Sequence, residues 1–208
     1  MKKSAVIVAL FFMGFISVNA QGLMGYLKSH LELGVKGEAN YSGFLLKDME
    51  GVKSEMGVGG NVGTFIKLNI SEHFAIQEDI LFSYQSSKIK QNGWEDTYQY
   101  FGTEVPIYLM GQWNVSGGRF YAGAGPYFSL GLSAKMKDAD IDLYKKVDDE
   151  RPMKRLSNGL AAQIGYEFSN KIQLNASYKI GLGNTLDANE DLYKMVPHSV
   201  SLGIGYRF

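Results

Sequence analysis

The chain has 208 residues, no cysteine, and 21 basic against 21 acidic residues, a length expected of a single domain. The lack of cysteine excludes a disulfide framework, a thiolate metal site and a lipoprotein anchor, and the balanced charge argues against nucleic acid as a partner. Its 25 glycines, 13 tyrosines and 12 phenylalanines are high for a soluble enzyme and typical of a membrane barrel with aromatic belts.

The first twenty residues have the features of a secretory signal peptide. A basic start is followed by an apolar stretch over residues 5–16 and by Ala20, which precedes a cleavage point before Gln21. The apolar stretch is short for a bilayer crossing, which disfavours a retained membrane anchor. We therefore expect signal peptide over residues 1–20, a periplasmic N-terminal segment over residues 21–29 and a folded domain over residues 30–208.

Eight later stretches alternate apolar and polar residues with a period of two, as strands with one apolar face do. They cover residues 31–39, 58–70, 74–84, 101–113, 120–132, 160–168, 172–182 and 200–208. The central two exceed the usual strand length and suit a tilted bilayer crossing. Because unpaired strand edges are costly in hydrocarbon, the sheet must close. The sequence predicts an all-β protein, an eight-stranded antiparallel up-and-down transmembrane β-barrel.

The connections alternate between short and long. Short connections are expected at residues 71–73, 114–118 and 169–170, and long, charged ones at residues 42–56, 87–96, 135–155 and 185–196. Bacterial outer-membrane barrels have short periplasmic turns and long extracellular loops. The alternation therefore places both termini in the periplasm and four long loops outside, of which residues 135–155 form the longest.

Three positions interrupt the simple pattern. Pro106 and Pro126 cannot donate to a strand ladder, so we expect local bulges or breaks beside them. In the third stretch the lipid-facing phase also includes Glu78. We expect a bulge near residues 80–82 to re-phase this strand, in preference to a carboxylate that faces hydrocarbon.

Ten charged residues fall on the polar face and are expected in the lumen. The acids are Glu32, Glu38, Asp79, Glu104 and Glu167, and the bases are Lys36, Lys67, Arg119, Lys179 and Arg207. The interior of an eight-stranded barrel is just wide enough for side chains to fill, so we expect these charges to pair and plug the lumen. The alternative is a narrow gated path for ions or protons.

The central hairpin also carries a motif. The segment Glu104-Val105-Pro106 and the later segment Gly123-Ala124-Gly125-Pro126 resemble the paired motif of the PorT-like outer-membrane β-barrel family of Bacteroidetes. The family-motif residues here are Glu104, Pro106, Gly123, Gly125 and Pro126. The resemblance implies an outer-membrane barrel with roles in secretion machinery or envelope maintenance.

Catalytic and metal sites find little support in the sequence. The three histidines are His30, His73 and His198, and they fall at opposite rims, so no three-histidine metal site is expected. An interface hydrolase or acyltransferase remains an alternative through His198 and Ser199, with Asp187 and Asp191 in the adjoining loop. Adjacent strand residues face opposite sides, however, whereas a nucleophile needs its base within hydrogen-bond reach.

A calcium-loop pattern begins at Asp138, Asp140 and Asp142, with Asp149 at the twelfth position. Its sixth position is Leu143 instead of glycine, and the final glutamate is missing. A solvated loop of mixed charge is the better interpretation. We expect neither a cofactor nor a metal.

The resulting expectation is a non-enzymatic barrel in the bacterial outer membrane that presents extracellular loops for binding. Its expected partners are outer-membrane lipid, other envelope or secretion proteins that contact the loops, and the barrel-assembly machinery. The terminal Phe208 resembles the C-terminal aromatic signal that this machinery recognises.

Overall fold

A computed structural model describes residues 29–146, 151–187 and 193–208. Residues 32–208 form one compact unit. The predicted signal peptide and all but the last residue of the predicted periplasmic segment lie outside the described residues. No helix in the described part of the chain is long and apolar enough to cross a membrane.

The described residues form nine antiparallel strands. These are β1 (Leu31–Lys47), β2 (Val52–Asn69), β3 (Phe74–Gln91), β4 (Trp94–Val115), β5 (Gly118–Met136), β6 (Ile141–Asp142), β7 (Leu156–Phe168), β8 (Ile172–Gly181) and β9 (Lys194–Arg207). The order in space is β4-β3-β2-β1-β9-β8-β7-β5, and the pairing of β4 with β5 closes the ring. The two-residue β6 pairs with the end of β5 and stands outside the ring. The predicted eight-stranded up-and-down barrel is confirmed.

The period-two pattern decides which side chains face lipid. In β4, for example, Leu109 is 62% exposed and its neighbour Tyr108 is 1% exposed, because successive strand residues point to opposite faces. The apolar phase expected for each of the eight strands is the outward one. Aromatic rings mark the periplasmic edge of this apolar coat, where those of Trp113 and Phe120 lie 5.9 Å apart.

The connections confirm one half of the expected alternation and correct the other. At the inner end, taken as periplasmic because its turns are short, residues 70–73, 116–117 and 169–171 join the strands. At the outer end only residues 137–155 and 182–193 form long connections. The two other loops expected there are wrong, since residues 42–56 and 87–96 continue the strands into hairpins with tight turns. Asn92 and Gly93 have φ of 49° and 87°, the positive values that a two-residue hairpin turn requires.

The expected bulge in β3 is also wrong. The register of β3 against β2 is continuous from Ala75 to Tyr84, so Glu78 stays in the lipid-facing row. Ile66 and Ile107 lie directly opposite it on the neighbouring strands. The Glu78 side chain is only 6% exposed, which shows that the apolar row accommodates the carboxyl by covering it.

The two prolines interrupt the ladder without shifting it. Pairing of β4 with β5 skips residues 107–108 beside Pro126, and pairing of β3 with β4 skips residues 79–80 beside Pro106. The register is the same on both sides of each gap, so the expected breaks are present and the expected bulges are not. Proline lacks the N–H that a regular ladder needs. The register shift between β4 and β5 lies instead at Gly102.

The strands of the barrel differ greatly in length. β8 has 10 residues, about the number that a tilted strand needs to cross hydrocarbon, whereas β4 has 22. The outward face of β3 changes from apolar Phe82 and Tyr84 to charged Lys88 and Lys90. The hairpins β1–β2 and β3–β4 therefore extend beyond the lipid-facing band on one side of the barrel.

Candidate functional site

Five charged side chains form one network at the inner end of the lumen. The Glu32 carboxylate lies 2.6 Å from the Lys67 Nζ and 2.9 Å from the Arg119 Nη2. The Glu167 carboxylate lies 2.9 Å from both Arg119 and Arg207. These residues come from β1, β2, β5, β7 and β9, so the network joins strands all round the barrel.

A second charged group lies deeper in the lumen and is centred on Lys36. Its Nζ lies 2.8 Å from Glu38 and 2.9 Å from Asp79, and it donates a hydrogen bond of 2.9 Å to Gln163. Asn61 donates to the remaining oxygen of Glu38 at 2.8 Å. All of these side chains are buried, and buried charges need such partners because their desolvation is costly.

The third charged group is the pair of Glu104 and Lys179, which joins β4 to β8. Gln85 donates to the second carboxylate oxygen of Glu104 at 2.7 Å. With this pair, all ten charged residues that the sequence assigned to the lumen lie inside the barrel, and each contacts an opposite charge. The inner network carries one excess positive charge and the Lys36 group one excess negative charge, so the three groups together are neutral.

Inward glycines of the central hairpin let neighbouring strands approach closely. A Cβ at Gly125 would lie 2.0 Å from the Ile107 carbonyl oxygen, and one at Gly123 would lie 2.7 Å from the Leu109 carbonyl oxygen. Both glycines belong to the sequence motif noted in the central hairpin, together with the buried Pro106. These motif positions therefore serve the packing of β4 against β5.

An apolar cluster fills the outer end of the lumen. It contains Phe44, Tyr98, Tyr100, Ala134, Met136, Tyr144, Met153 and Met195, and we call it the outer cluster. Phe44 and Tyr98 pack edge to face with ring centroids 4.9 Å apart. Tyr144 and Met153 come from the connection 137–155, so this connection folds back over the strand ends.

Asp96 fastens the same connection to β4. Its carboxylate accepts hydrogen bonds from the backbone N–H groups of Thr97 at 2.6 Å, Asp138 at 2.8 Å and Ala139 at 3.0 Å. Burial acts to raise the pKa of Asp96, but the N–H groups of Asp138, Ala139 and Thr97 outweigh it and hold the pKa below its usual value. Asp96 is fully buried and lies above the lipid-facing band.

A pocket lies between the outer cluster and the pair of Glu104 and Lys179. Its polar lining includes Gln85, Tyr100, Glu104, Tyr127, Ser129, Tyr144, Lys154, Arg155, Ser157, Lys179, Thr185, His198 and Ser199, and its apolar lining consists of Phe44, Tyr98, Met153 and Pro197. The space open to water is about 40 Å³. This pocket is a concave site with both polar and apolar walls.

The candidate catalytic residues are not assembled. His198 places its ring 6.5 Å from that of Tyr178, while Ser199 faces the lumen and is 3% exposed. Among the described residues, His198 has no hydrogen bond to a serine or a carboxylate. Asp187 is exposed, and Asp191 lies outside the described residues. Of these candidates, the ones that the structure describes do not bring a nucleophile within reach of a base.

Metal-ligating residues are likewise dispersed. In residues 29–146, 151–187 and 193–208, no group of three or more histidine, aspartate or glutamate side chains is placed to hold a metal ion. Asp138 is held by its backbone in the Asp96 contact, and Asp142 accepts a hydrogen bond from the Tyr144 N–H at 2.9 Å. Asp149 of the calcium-loop pattern lies outside the described residues.

Sequence reasoning missed the residues that build the outer end. Asp96, Tyr100 and Tyr144 were assigned no role, and Arg155 was counted only as a loop boundary. One available signal was the Asn92-Gly93 dipeptide, the strongest short-range indicator of a hairpin. It would have extended β4 towards its outer, N-terminal end and shown that Asp96, Tyr98 and Tyr100 share its inward face.

The closed sheet, its apolar coat and its ion-paired lumen define an integral β-barrel protein of the bacterial outer membrane. A family model described as outer membrane protein beta-barrel domain matches residues 19–187, which is most of the chain. The protein therefore belongs to this outer-membrane β-barrel family. No curated protein matches the chain.

The chain is similar to several solved structures. The outer membrane protein OprG from Pseudomonas aeruginosa has a TM-score of 0.57 and 13% identity, covering 86% of this chain and 96% of that chain. Neisserial surface protein A has a TM-score of 0.47 and 12% identity, with coverage of 85% and 97%. The attachment invasion locus protein Ail of Yersinia pestis has a TM-score of 0.43 and 16% identity, with coverage of 86% and 99%.

Proposed function

We propose that the protein is a non-enzymatic, non-conducting barrel that anchors an ordered extracellular platform in the outer membrane. The observation that carries this proposal is the filling of the lumen. Charged groups cross it at three levels, and the outer cluster covers the end. Because an eight-stranded barrel leaves room for little besides its own side chains, transport through it is disfavoured.

The platform consists of the hairpins β1–β2 and β3–β4 above the lipid-facing band. Its outward face is ordered by ion pairs of Lys90 with Glu55 at 2.7 Å and with Glu95 at 3.3 Å, and of Lys88 with Glu95 at 3.0 Å. Such exposed pairs contribute little stability. They do give the platform a fixed charged surface that suits recognition of another envelope component.

The resemblance to PorT-like proteins supports a partner in secretion machinery or in envelope maintenance. Outer-membrane lipid and the barrel-assembly machinery are further partners in this proposal, the latter through Phe208. Removal of residues 1–20 on export belongs to the same proposal and is checked by N-terminal sequencing of the mature protein.

Two measurements test the proposed function. In planar bilayers the folded protein should give no discrete conductance steps. In crosslinked outer membranes, the double change Lys88→Glu and Lys90→Glu should abolish a specific crosslinked partner that the unchanged protein retains. Lys171→Glu, in an inner turn, is the matched control and should leave the partner bound. Conductance steps, or equal crosslinking by all three proteins, would contradict the proposal.

The alternative function is a narrow gated channel, and one observation favours it. The outer pocket reaches the pair of Glu104 and Lys179, so displacement of this pair would lengthen the pocket inwards. Glu104→Ala separates the two functions. As part of a plug it should lower the stability of the barrel without conductance, whereas as part of a gate it should produce a conductance that the unchanged protein lacks.

A further inference from the structure

The pocket at the outer end of the lumen is lined by side chains from the strands and from the outer connections, and it is partly open. Glu104 and Lys179 form its floor, while Ser129 of β5 and Ser157 of β7 stand in one wall with their Oγ atoms 2.6 Å apart. Tyr144, from the connection 137–155, lines the outer side. Thr185, from the connection 182–193, also lines it, so its walls combine the barrel strands with both outer connections.

The size of the pocket limits what it can hold. A water molecule needs roughly 10–15 Å³ of such space, so about 40 Å³ accommodates a few waters or one molecule of about four heavy atoms. The lining atoms of Phe44, Met153 and Pro197 are apolar and face the same space. They offer contact to a methyl or short alkyl group.

The pocket contains a buried hydroxyl that the described residues leave without a hydrogen-bond partner. The Tyr100 side chain is 8% exposed, and its hydroxyl makes no hydrogen bond with a described residue. Ser129 lies nearby but is already paired with Ser157, which leaves one hydroxyl hydrogen of that pair available. Both oxygens of Glu104 are occupied, by Lys179 and Gln85. A buried donor without a partner costs free energy, and an acceptor in the pocket would remove that cost.

The charge of the pocket also favours an acceptor that is negative. The pair of Glu104 and Lys179 is neutral as a whole. Arg155 lines the pocket, its guanidinium carbon lies 5.0 Å above the Tyr144 ring, and it has no ion pair with a described residue. This cation–π contact holds the guanidinium over the Tyr144 ring, and the guanidinium N–H groups can bind a carboxylate in the bidentate way.

From these observations we propose that the outer pocket binds a small carboxylate with a short alkyl group, oriented by Arg155 and by the Tyr100 hydroxyl. The carboxylate accepts from both groups, and the alkyl end contacts the apolar wall. This site is independent of the partner-binding platform, because Tyr100 faces the lumen and Arg155 belongs to the connection 137–155, whereas the platform charges lie on the outward face of the hairpins.

The test uses the full mature chain refolded in detergent micelles and labelled with nitrogen-15. Sodium acetate is titrated at constant ionic strength while the backbone amide shifts of Ser129 and Ser157 are followed. We expect saturable shifts in the millimolar range, as befits four heavy atoms. Acetamide has the same shape without the charge, and we expect it to bind at least tenfold more weakly.

Three variants assign the site. Arg155→Gln should weaken acetate binding at least tenfold, and Tyr100→Phe, which keeps the ring and loses only the hydroxyl, should weaken it several-fold. Arg151→Gln is the matched control, since Arg151 is exposed in the same connection and does not line the pocket. The slower migration of heated samples in gels establishes that each variant is folded.

Four outcomes would overturn the proposal: no saturable shift with acetate, equal binding of acetate and acetamide, unchanged binding by Arg155→Gln, or an equal loss in Arg151→Gln. None of these results bears on the conductance or crosslinking tests of the platform. Loss of a crosslinked partner with retained acetate binding would leave the site proposal standing.

Discussion

The inner and outer parts of the lumen are filled by different means. The inner part is filled by charged side chains that all come from barrel strands and that pair across the lumen, such as Glu32 with Arg119 at 2.9 Å. The outer part is filled by aromatic and methionine side chains, some of which come from the connections, such as Tyr144 and Met153.

This difference separates two kinds of stability. The inner charges are positioned only when the ring of strands closes, so their pairing forms together with the whole barrel. The outer cluster depends on the connection 137–155, which Asp96 fastens to β4. Regions held by a few local contacts open at lower free energy than the whole fold. We therefore expect the outer part to open while the inner part stays closed.

Breaking an inner ion pair should have the largest effect. Lys36→Met leaves Glu38 and Asp79 buried without their shared cation, and loss of one partner of a buried pair costs about 3–5 kcal/mol. Urea unfolding in lipid vesicles, followed by gel migration, measures the change. Lys90→Met, which removes an exposed ion-paired lysine, should change stability by less than about 0.5 kcal/mol. Equal effects of the two changes would refute the structural role of the lumen charges.

Overpacking the central hairpin should have the next largest effect. A Cβ at Gly125 would lie 2.0 Å from a backbone oxygen of β4, so Gly125→Ala must move the strands apart and should cost about 1–3 kcal/mol. Gly183→Ala is the control, because nothing lies within 4 Å of a Cβ there. The urea midpoints of the two variants compare their stabilities. A Gly125→Ala barrel as stable as the control would show that the strands move apart at little cost in stability.

Loosening the outer part should have a smaller and more local effect. Asp96→Ala removes the acceptor of three backbone N–H groups. Leaving buried donors without an acceptor costs about 1–3 kcal/mol of stability. We expect faster amide hydrogen exchange at Asp138 and Ala139, with little change at the inner charges. Protection that stays unchanged at both amides would disprove the fastening role of Asp96.

The same contact has a predictable pH dependence. The pKa of Asp96 is lower in the folded protein than in the unfolded chain, so its contribution is present above the unfolded pKa of about 3.9. It is lost as the pH falls through the lower folded value. The hydrogen-exchange rate of the Asp138 amide, corrected for the intrinsic rate, should rise over that pH range. The Asp96→Ala variant should lack this transition.

Removing the lipid-facing carboxyl should give the smallest effect and the opposite sign. Glu78 lies between Ile66 and Ile107 in the outward row, and carboxylates on the lipid face of barrels cost less than the roughly 2–4 kcal/mol of lysine or arginine. Glu78→Leu should therefore stabilise the barrel by about 1 kcal/mol in the same urea assay. Glu55→Leu, on the exposed platform, should not. A destabilised Glu78→Leu protein would reveal an unrecognised partner for the carboxyl.

The charged residues of the inner part could be predicted from the sequence because side chains of a strand alternate between its two faces. Once Tyr108 and Leu109 are assigned to opposite faces, the face of Glu104 on β4 follows, and the alternation within β8 gives the face of Lys179 in the same way. Which acid meets which base did not follow. The pairing of Glu104 with Lys179, 75 positions apart, depends on the register of every strand between them and on how the ring closes.

The outer part was harder to predict from the sequence, for two reasons. Charged residues between positions 87 and 96 suggested a loop, although Lys88 and Lys90 of β3 and Glu95 of β4 occupy outward positions of strands that extend beyond the lipid. The connection 137–155 has no period at all, so nothing in the sequence places Tyr144 over the lumen or Arg155 above its ring. Only the three-dimensional path of the chain brings them there.

The unequal strand lengths give the barrel a slanted rim. On the side of β8, whose 10 residues only just cross the hydrocarbon, the wall ends level with the lipid head groups. On the side of β4, with 22 residues, it stands well clear of them. A bulky sugar coat on the surrounding lipids would thus cover the flank at β8 and leave the flank at β4 uncovered. A partner in the membrane plane would therefore reach the protein from the side of β4.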